Sequence, residues 1–288
     1  MTSGLDPNLP VLVGVGQLSH RVDRGEEPLE PADLMAEVLR KAAADCGAPA
    51  ILRNAEAIRT IGGVSWKYAD PSAAVAERIG AHPRETATTV IGGNMAQSVI
   101  NASAMDIQMG RADTVLIAGA EAWWTASRAR RAGTTLSWST QAEGVRPSRV
   151  YGDRNPFDTP TEVAAGMHMP LDVYPFFEVA LRAEAGREPD KHRAHIAALW
   201  SRFSDVAAEN PHAWIPQSYT PDEIARPSTE NRMVTYPYTK RLVSNNDVEQ
   251  AAAVILCSLK TARALGIPAD RWVFPHSGTD AHDTPFVS

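Results

Sequence analysis

The chain has 288 residues, a formal net charge of -6 and a sequence pI near 5.8. That length allows one large domain or two moderate ones with a buried core, and the acidic balance gives no general attraction to nucleic acid or to an anionic membrane. No apolar run reaches the roughly 18 residues that a membrane helix needs, and the polar start of the chain does not resemble a signal peptide. We therefore expect a soluble cytoplasmic protein with no nucleic-acid or membrane partner.

Cysteine usage excludes two further kinds of site. The two cysteines, Cys46 and Cys257, lie far apart and form no Cys-x-x-Cys pair. A disulfide framework or a structural zinc site needs a denser cysteine pattern, so we predict neither, and we predict no metal site. Cys257 lies in an apolar run and Cys46 ends a helical pattern, so both thiols are expected to be buried and unreactive.

The first part of the chain alternates strand and helix patterns. Residues 10–16 form an apolar strand, and residues 31–47 form an amphipathic helix between a proline and a glycine. Residues 57–61 are the next strand, and Asp70 caps a helix over residues 71–80. This alternation predicts a parallel sheet that helices cover.

The glycines of the first strand suggest the start of a dinucleotide-binding turn. In that motif Gly14-x-Gly16 would be followed by a third glycine at position 19, but Ser19 stands there and no helix begins close by. We therefore do not predict a nucleotide cofactor site in this segment.

Residues 88–125 hold the stretch around which the rest of the chain is organised. A strand ends at Ile91, Gly92-Gly93 form a turn, residues 98–109 form a largely apolar helix, and residues 115–118 form a buried strand. A glycine turn between a strand and a helix directs backbone amides and the positive end of the helix at a ligand. A phosphate, a carboxylate or a developing oxyanion suits that position.

Residues 126–240 have a different character, since most of the prolines and tyrosines lie there. Within this region a helix with one apolar face is predicted over residues 190–209. Residues 251–257 form an apolar segment that periodicity alone leaves open between strand and helix. Val273-Phe274 would begin one more strand.

The order of elements over residues 88–125 resembles the centre of the N-terminal domain of thiolases. Its two short motifs are Gly110-Arg111-Ala112-Asp113 and Gly119-Ala120-Glu121. Thiolases carry a nucleophilic cysteine in the turn, and counting back from Gly110 without gaps puts that position on Gly93. The turn from Gly92 to Gln97 is similar to that of actinobacterial thiolase-like proteins, often described as acetyl-CoA acetyltransferases, that lack the nucleophile.

The resemblance implies an α/β, thiolase-like fold, with a βαβαβ mixed sheet, helices on both faces and an incomplete second half. It implies an N-terminal thiolase domain over residues 1–125, a loop domain over residues 126–240 and the start of a C-terminal thiolase domain over residues 241–288. Three motifs of the family's second half are absent from the sequence: Gly-His-Pro, Asn-Glu-x-Phe and a second Cys-x-Gly. We therefore expect a fragment, or a site that a partner subunit completes. Thiolases usually pair through an edge strand, which implies a homodimer as another arrangement.

The family's loop domain binds coenzyme A, which implies several candidate contacts. The segment ending in His168 and Met169 resembles the Gly-x-His-Met that lines pantetheine in biosynthetic thiolases, although Pro170 follows where the family has glycine. Arg128 belongs to a cluster of three arginines beside two tryptophans and is a candidate for the 3′-phosphate; nucleic-acid binding is only weakly supported by three arginines. Asn245 opens the segment that resembles the second half and is a further candidate. Packing or surface roles are the alternatives.

Thiolase chemistry needs a thiolate, a histidine that activates it, and donors for the thioester oxygen. Gly93 has no side chain, so a covalent acyl-enzyme cannot form there. Asn94 and Gln97 are candidate donors to a thioester carbonyl, and helix capping is their alternative role. We expect Ser98 to pack or cap and not to attack.

Two histidine patterns carry weaker hypotheses. His192 and His195 share one helix face, which can hold a metal, but no carboxylate converges on them in the sequence and we interpret them as a solvated face. His276 and His282 bracket a segment with a serine and Asp280. Members of a catalytic triad come from separate segments, so we do not predict a triad there.

The combined prediction is a thiolase-superfamily, acetyl-CoA acetyltransferase-like protein that acts on or binds acyl-CoA thioesters in lipid, fatty-acid or steroid side-chain metabolism. Coenzyme A or its acyl ester is the expected substrate. If the protein is an enzyme, we expect non-covalent thioester chemistry such as retro-aldol or Claisen cleavage. The alternatives are a non-catalytic scaffold that binds CoA esters and a subunit whose site a partner completes.

Overall fold

A computed structural model of the protein describes residues 4–153 and 159–281. The described residues form two compact units: the first comprises residues 4–153 and 247–281, and the second comprises residues 159–246. The second unit is therefore inserted into the chain of the first. The predicted boundaries at residues 125 and 240 differ from this division, which assigns residues 126–154 to the first unit.

Eight strands are present in the described residues. They are β1 Pro10–Ser19, β2 Ala57–Thr60, β3 Glu85–Thr89, β4 Thr114–Ala122, β5 Arg149–Tyr151, β6 Met233–Thr235, β7 Tyr238–Thr239 and β8 Glu249–Ser258. Six of them form one sheet in the order β1-β8-β4-β2-β3-β5, and β6 pairs with β7 in the second unit. Strands β2 to β5 run parallel, and β8 runs antiparallel to both of its neighbours. The predicted mixed α/β sheet is confirmed.

Nine α-helices accompany these strands in the described residues. They are α1 Pro31–Asp45, α2 Pro71–Ile79, α3 Met95–Gln108, α4 Trp123–Ala132, α5 Pro160–Ala164, α6 Pro170–Glu184, α7 Pro189–Glu209, α8 Pro221–Ala225 and α9 Leu259–Ala264. As predicted, the Asp70 side chain accepts a hydrogen bond from the Ala73 amide at 2.9 Å and caps α2. No helix of the described ranges is long and apolar enough to cross a membrane.

Helices cover both faces of the large sheet. Leu116 and Ala118 of β4 pack in the cluster that contains the buried side of α1, whereas Val115 and Ile117 pack in the cluster that contains Val99 of α3. Successive side chains of a strand point to opposite faces, so α1 and α3 lie on opposite sides of the sheet. Helices on both faces are therefore confirmed.

The glycines of β1 have a packing role and no part in a nucleotide turn. A Cβ atom at Gly14 would overlap the backbone oxygen of Ala42, and one at Gly16 would overlap that of Val38. Both oxygens belong to α1, so these glycines let the helix lie directly on the strand. This explains the Gly-x-Gly pattern without a cofactor.

The prediction that residues 241–288 open a second thiolase domain is wrong for β8. This strand lies between β1 and β4 in the sheet of the first unit and pairs with both along most of its length. Within residues 251–257, Ala251, Ala253 and residues 255–257 are buried, whereas Ala252 is exposed and Val254 is half-buried. Val273 forms an isolated antiparallel bridge to Leu12 and not the longer strand that was predicted to begin there.

The predicted bounds around the central turn need two corrections. Strand β3 ends at Thr89 rather than Ile91, and α3 begins at Met95 rather than Ser98. The helix is also less buried than its composition suggested, because Met105 and the C-cap residue Met109 are exposed. Gly110, with φ 68°, ends the helix region as predicted.

Within its described residues, the second unit has four α-helices and the β6–β7 pair around a small core. That core contains Ile196 and Ala197 of α7, with Ile224 and Leu242. The predicted helix over residues 190–209 is present, but Phe203 and Val206 of its predicted apolar face are 55% and 70% exposed. A periodic apolar pattern therefore identified the helix without identifying what covers it.

Candidate functional site

The turn between β3 and α3 lies at the carboxyl end of the parallel strands. The Val90 amide donates to the Tyr151 oxygen at 2.9 Å, and the Met95 amide donates to the Gly92 oxygen at 3.1 Å. Gly152, with φ 87°, leaves no room for a Cβ atom against the side chains of Val90 and Met95. The end of β5 therefore packs against the turn.

Gly93 and Asn94 form the exposed tip of this turn. A Cβ atom at Gly93 would meet no heavy atom within 4 Å, so a side chain at this position would extend into open space. Asn94 is the N-cap residue of α3, but its side chain does not cap the helix. The first amides of a helix lack intrahelical partners and carry its positive end, so the tip faces a region that favours a partial negative charge.

The side chains of α3 near the turn have partners on their own helix or beside it. Gln97 donates to the Asn101 side chain at 2.9 Å, and Ser98 donates to Asp280 at 2.6 Å. Ser98 is therefore held by a carboxylate. Asp280 also accepts a hydrogen bond from Nδ2 of the Asn101 side chain at 3.3 Å. The structure pairs Asp280 with α3, and His282 of the rejected triad lies outside the described residues.

Glu121, in the predicted glycine-alanine-glutamate motif, anchors the loop that follows β2. Its two carboxylate oxygens accept the amides of Val64 at 2.7 Å and Ser65 at 2.8 Å. The Gly62 amide donates to the Thr89 hydroxyl at 2.9 Å, so the same loop is also tied to the end of β3. Charge-assisted hydrogen bonds of this kind fix backbone geometry, and the loop is fixed beside the turn.

Two cavities in the first unit flank the turn. The turn groove, of about 780 Å³, is lined by residues 61–69, 88–91 and 146–147, with further residues from α1, α2 and β5. The α3 groove, of about 480 Å³, is lined by residues of α3, by residues 117–121 of β4 and by residues 250–254 of β8. Residues 90 and 91 line the first cavity and Ala96 lines the second, so the turn lies between them.

Two basic side chains line the turn groove, which is otherwise largely apolar. They are Lys67 and Arg146, and both are exposed. Neither forms an ion pair with another residue of the described ranges. An apolar groove with unpaired cations suits a ligand that combines an apolar part with anionic groups.

The wall of the turn groove around Tyr68 is fixed by the buried carboxylate of Glu30. Glu30 accepts the Ser139 amide at 2.7 Å and the Tyr68 hydroxyl at 3.1 Å, and it pairs with the Arg78 guanidinium. Burial, reinforced by the charge of Glu30, raises the pKa of Tyr68 above its usual range. The Tyr68 hydroxyl therefore remains a donor to Glu30 at neutral pH.

A buried ion cluster attaches α3 to the sheet below the turn. Arg59 of β2, which is 1% exposed, donates to Glu85 at 3.0 Å, to Ser103 at 2.9 Å and to Asp106 at 2.5 Å. Burial disfavours the charged form of Asp106, but hydrogen bonds from Arg59 and Arg111 outweigh that effect and lower its pKa. The charge of Asp106 thus helps to fix the helix that carries the turn.

The residues predicted to contact coenzyme A fall in both units. Arg128 of α4 belongs to the first unit, where its guanidinium lies 3.0 Å from the centre of the Trp124 ring. His168 and Met169 belong to the second unit, where both backbone amides donate to Asp172. Met169 lines a cavity of about 410 Å³, and Asn245 lies in the same unit. Contact of these residues with coenzyme A remains a prediction.

The interpretation of the two helix histidines as a solvated face is wrong for His192. The residue is 3% exposed, and its Nε2 lies 2.7 Å from Glu178 of α6, whereas His195 is exposed. The carboxylate comes from another helix, so the sequence around His192 gave no sign of it. Among the described residues no group of three metal-ligating side chains converges. Cys46 and Cys257 are buried as expected, and burial raises the pKa of the Cys257 thiol to about 12.

Sequence reasoning missed the loop over residues 61–69 and the cations Lys67 and Arg146. The pair Gly62-Gly63, one residue after the end of β2, was an available signal, since a glycine pair marks a turn at the carboxyl end of a strand. The position of Arg146 depends on the irregular segment 134–148, whose path no local pattern specifies.

Several solved structures superpose on most of this chain. The chain superposes on a monomeric SCP2-thiolase like protein type 1 from Mycobacterium smegmatis with a TM-score of 0.74 and 28% identity, covering 94% of this chain and 50% of that one. It superposes on an Ltp2-ChsH2(DUF35) aldolase with a TM-score of 0.61 and 18% identity, covering 90% of this chain and 58% of that one.

A third similar structure is the dimeric peroxisomal thiolase of Saccharomyces cerevisiae, with a TM-score of 0.55, 13% identity and coverage of 92% of this chain and 68% of that one. No protein-family model and no curated protein matches the sequence. This chain spans about half the length of the SCP2-thiolase-like structure. The shared fold and the similarity to that structure place the chain in the thiolase-like superfamily, where it resembles the SCP2-thiolase-like proteins.

Proposed function

We propose that the protein binds an acyl-CoA thioester at the turn groove and handles it without a covalent acyl-enzyme. The observation that carries this proposal is the exposed tip at Gly93, where open space adjoins the first amides of α3 between two cavities. A thioester carbonyl placed there would accept hydrogen bonds from backbone amides as negative charge develops on its oxygen. No thiol or hydroxyl of the turn is available to attack it.

The similar structures support this class of substrate. Two of them are described as thiolase or thiolase-like proteins and one as an aldolase. Claisen and aldol chemistry both form or break a carbon–carbon bond beside a carbonyl that holds the electron pair as an enolate. An amide-lined position for that oxygen is the element the two reactions share, and it does not depend on a cysteine.

The groove also has features that suit coenzyme A itself. Lys67 and Arg146 are unpaired cations of the turn groove and would meet the phosphates, while its apolar walls would take the acyl chain or the pantetheine arm. The predicted contacts of His168 and Met169 with pantetheine, and of Arg128 with a phosphate, stay separate predictions, because none of these residues lines the turn groove.

Binding without catalysis is the second candidate, and a specific observation favours it. No histidine or carboxylate belongs to the described residues that line the turn groove, and Glu121 in the neighbouring cavity already accepts two amides. If the protein does catalyse a reaction of the thioester, a partner subunit would supply the general base. Completion by a partner, or a homodimer, is therefore part of the proposal, and sedimentation of the chain alone would measure its own oligomeric state.

The test is isothermal titration of the full chain with coenzyme A and acetyl-CoA. We expect saturable binding that weakens roughly tenfold in the double variant Lys67→Ala/Arg146→Ala, because two charged contacts are lost. Arg53→Ala is the matched control, since Arg53 is exposed at the opposite end of β2. Equal binding by the double variant and the control would contradict a site in the turn groove.

A further inference from the structure

Three titratable side chains from three elements meet in the second unit. Glu178 of α6 accepts a hydrogen bond from the Tyr238 hydroxyl at 2.7 Å, and its other oxygen lies 2.7 Å from Nε2 of His192. Burial, and then the hydrogen bond to Glu178, raise the pKa of Tyr238 above its usual range. The Tyr238 hydroxyl therefore remains a donor to the Glu178 carboxylate at neutral pH. The lone pairs of the Tyr238 oxygen are then available to accept a hydrogen bond from a ligand.

Hydrogen-bond accounting shows that this cluster is not complete within the described residues. Nδ1 of His192 is buried without a partner. If Nε2 donates to Glu178, Nδ1 is an unused acceptor; if the ring is charged, Nδ1 is an unused donor. A buried polar atom without a partner costs free energy. His192 does not line the neighbouring cavity, so a ligand there would meet Glu178 and Tyr238, which do line it.

The cluster borders a cavity of about 410 Å³ within the second unit. Glu178 and Tyr238 line it, and Ser244 and Asn246 supply further polar groups. The remaining walls are apolar or aromatic and include Tyr174, Ile196, Trp200 and Leu242. A concave apolar site with a few convergent polar groups is the usual form of a small-molecule site.

The charges of this cavity select the ligand. Its only charged lining residue among those described is Glu178, and no lysine or arginine lines it. A carboxylate or phosphate would meet the negative charge of Glu178 without a compensating cation, at a cost in free energy. An uncharged hydroxyl can instead donate to the free lone pairs of Glu178 or Tyr238 while its ring or chain packs against Trp200.

We propose that the cavity bordered by Glu178 and Tyr238 binds an uncharged, apolar molecule that carries a hydroxyl group. This ligand is separate from the thioester of the proposed function, because its site lacks cations and lies wholly in the second unit. Tyr238 and Glu178 would bind the hydroxyl, and His192 would hold the carboxylate in place.

The test titrates the full chain with 2-naphthol and, separately, with 2-naphthoate, which has the same ring system and a negative charge. We expect one saturable site for 2-naphthol and none for 2-naphthoate. The variant Tyr238→Phe should bind 2-naphthol roughly tenfold more weakly, since one hydrogen bond near a charged group is lost. Tyr219→Phe is the matched control, because the Tyr219 hydroxyl bonds to Gln217 and does not line the cavity.

Three results would overturn the proposal: no binding of 2-naphthol, equal binding of 2-naphthoate, or equal affinities in Tyr238→Phe and Tyr219→Phe. Thermal unfolding of each variant distinguishes a lost contact from a lost fold. Coenzyme A is added as a competitor, and its displacement of 2-naphthol would assign the cavity to the thioester site instead. The variants at Lys67 and Arg146 should leave 2-naphthol binding unchanged, so the two proposals fail independently.

Discussion

The two units of the molecule bury their apolar residues to different degrees. In the first unit, β4 and β8 are central strands, and residues such as Leu116 and Ile255 have no exposed surface. In the second unit, Phe176, Phe177 and Val206 are more than half exposed on long helices. An apolar sequence pattern in the first unit thus identifies core residues. The same kind of pattern in the second unit identifies an exposed helix face, and it does not indicate what covers that face.

The buried polar clusters of the two units also differ, in how completely their hydrogen bonds are satisfied. Each nitrogen of the Arg59 guanidinium donates to a partner within the first unit. In the second unit, His192 has one nitrogen bonded and one without a partner. A satisfied buried cluster fixes structure. The cluster of the second unit is not fully satisfied, and it borders a cavity through Glu178 and Tyr238.

The largest expected effect is on the Arg59 cluster. Replacing Arg59 with Met leaves Glu85 and Asp106 without their buried cation, which should lower the free energy of unfolding by about 3–5 kcal/mol. Urea unfolding followed by circular dichroism measures this. Arg40→Met is the control, because the ion pair of Arg40 with Glu37 and its hydrogen bond to the Arg78 carbonyl are both exposed, and their loss should cost about 1 kcal/mol or less. Equal losses in the two variants would show that the cluster does not stabilise the first unit.

Truncation of apolar side chains tests the comparison between the units directly. Leu116→Ala should cost about 2–5 kcal/mol, because it leaves a cavity against α1. Val206→Ala removes a side chain that is 70% exposed and should change the unfolding free energy by about 0.5 kcal/mol or less. A large loss at Val206, measured on the isolated chain, would mean that this face is covered.

The glycines of β1 should tolerate substitution less than the glycine of the turn. Gly16→Ala places a Cβ atom against the backbone of α1 and should cost about 1–3 kcal/mol. Gly93→Ala extends into open space and should leave stability within about 0.5 kcal/mol of the original. Thermal unfolding of both variants checks this, and similar losses would contradict the described geometry of the turn.

The smallest expected effect is the pH dependence that Asp106 contributes. Its pKa in the folded state lies below the value of about 3.9 expected when unfolded, so its contribution is complete above that pH and is lost as the pH falls through the folded pKa. The stability difference between the unchanged protein and Asp106→Asn should therefore be constant from about pH 7 to 5 and shrink in more acidic solution. A difference that grows on acidification would reverse the assigned sign.

Local patterns predicted much of the first unit because its signals are local. The cap at Asp70, the apolar run of β4 and the glycine at position 110 each depend on a few neighbouring residues. The position of β8 between β1 and β4 depends on pairing across more than 100 residues of chain, which periodicity does not encode. The second-domain assignment failed for that reason.

The candidate site was predicted in part for the same reason. The turn at Gly93 and the motif ending in Glu121 are short and lie within one stretch of sequence. Lys67 and Arg146 line the turn groove together, although they come from segments that share no pattern. Glu178 and His192 were missed as a pair because each helix alone gives an ordinary charged surface.

The most direct test of the central claim is the intact mass of the full chain after incubation with acetyl-CoA, measured beside binding of the same ligand. We expect saturable binding with no mass increase, because Gly93 offers no nucleophile and Ser98 is held by Asp280. An acetyl group recovered on a peptide that contains residues 92–98 would contradict it.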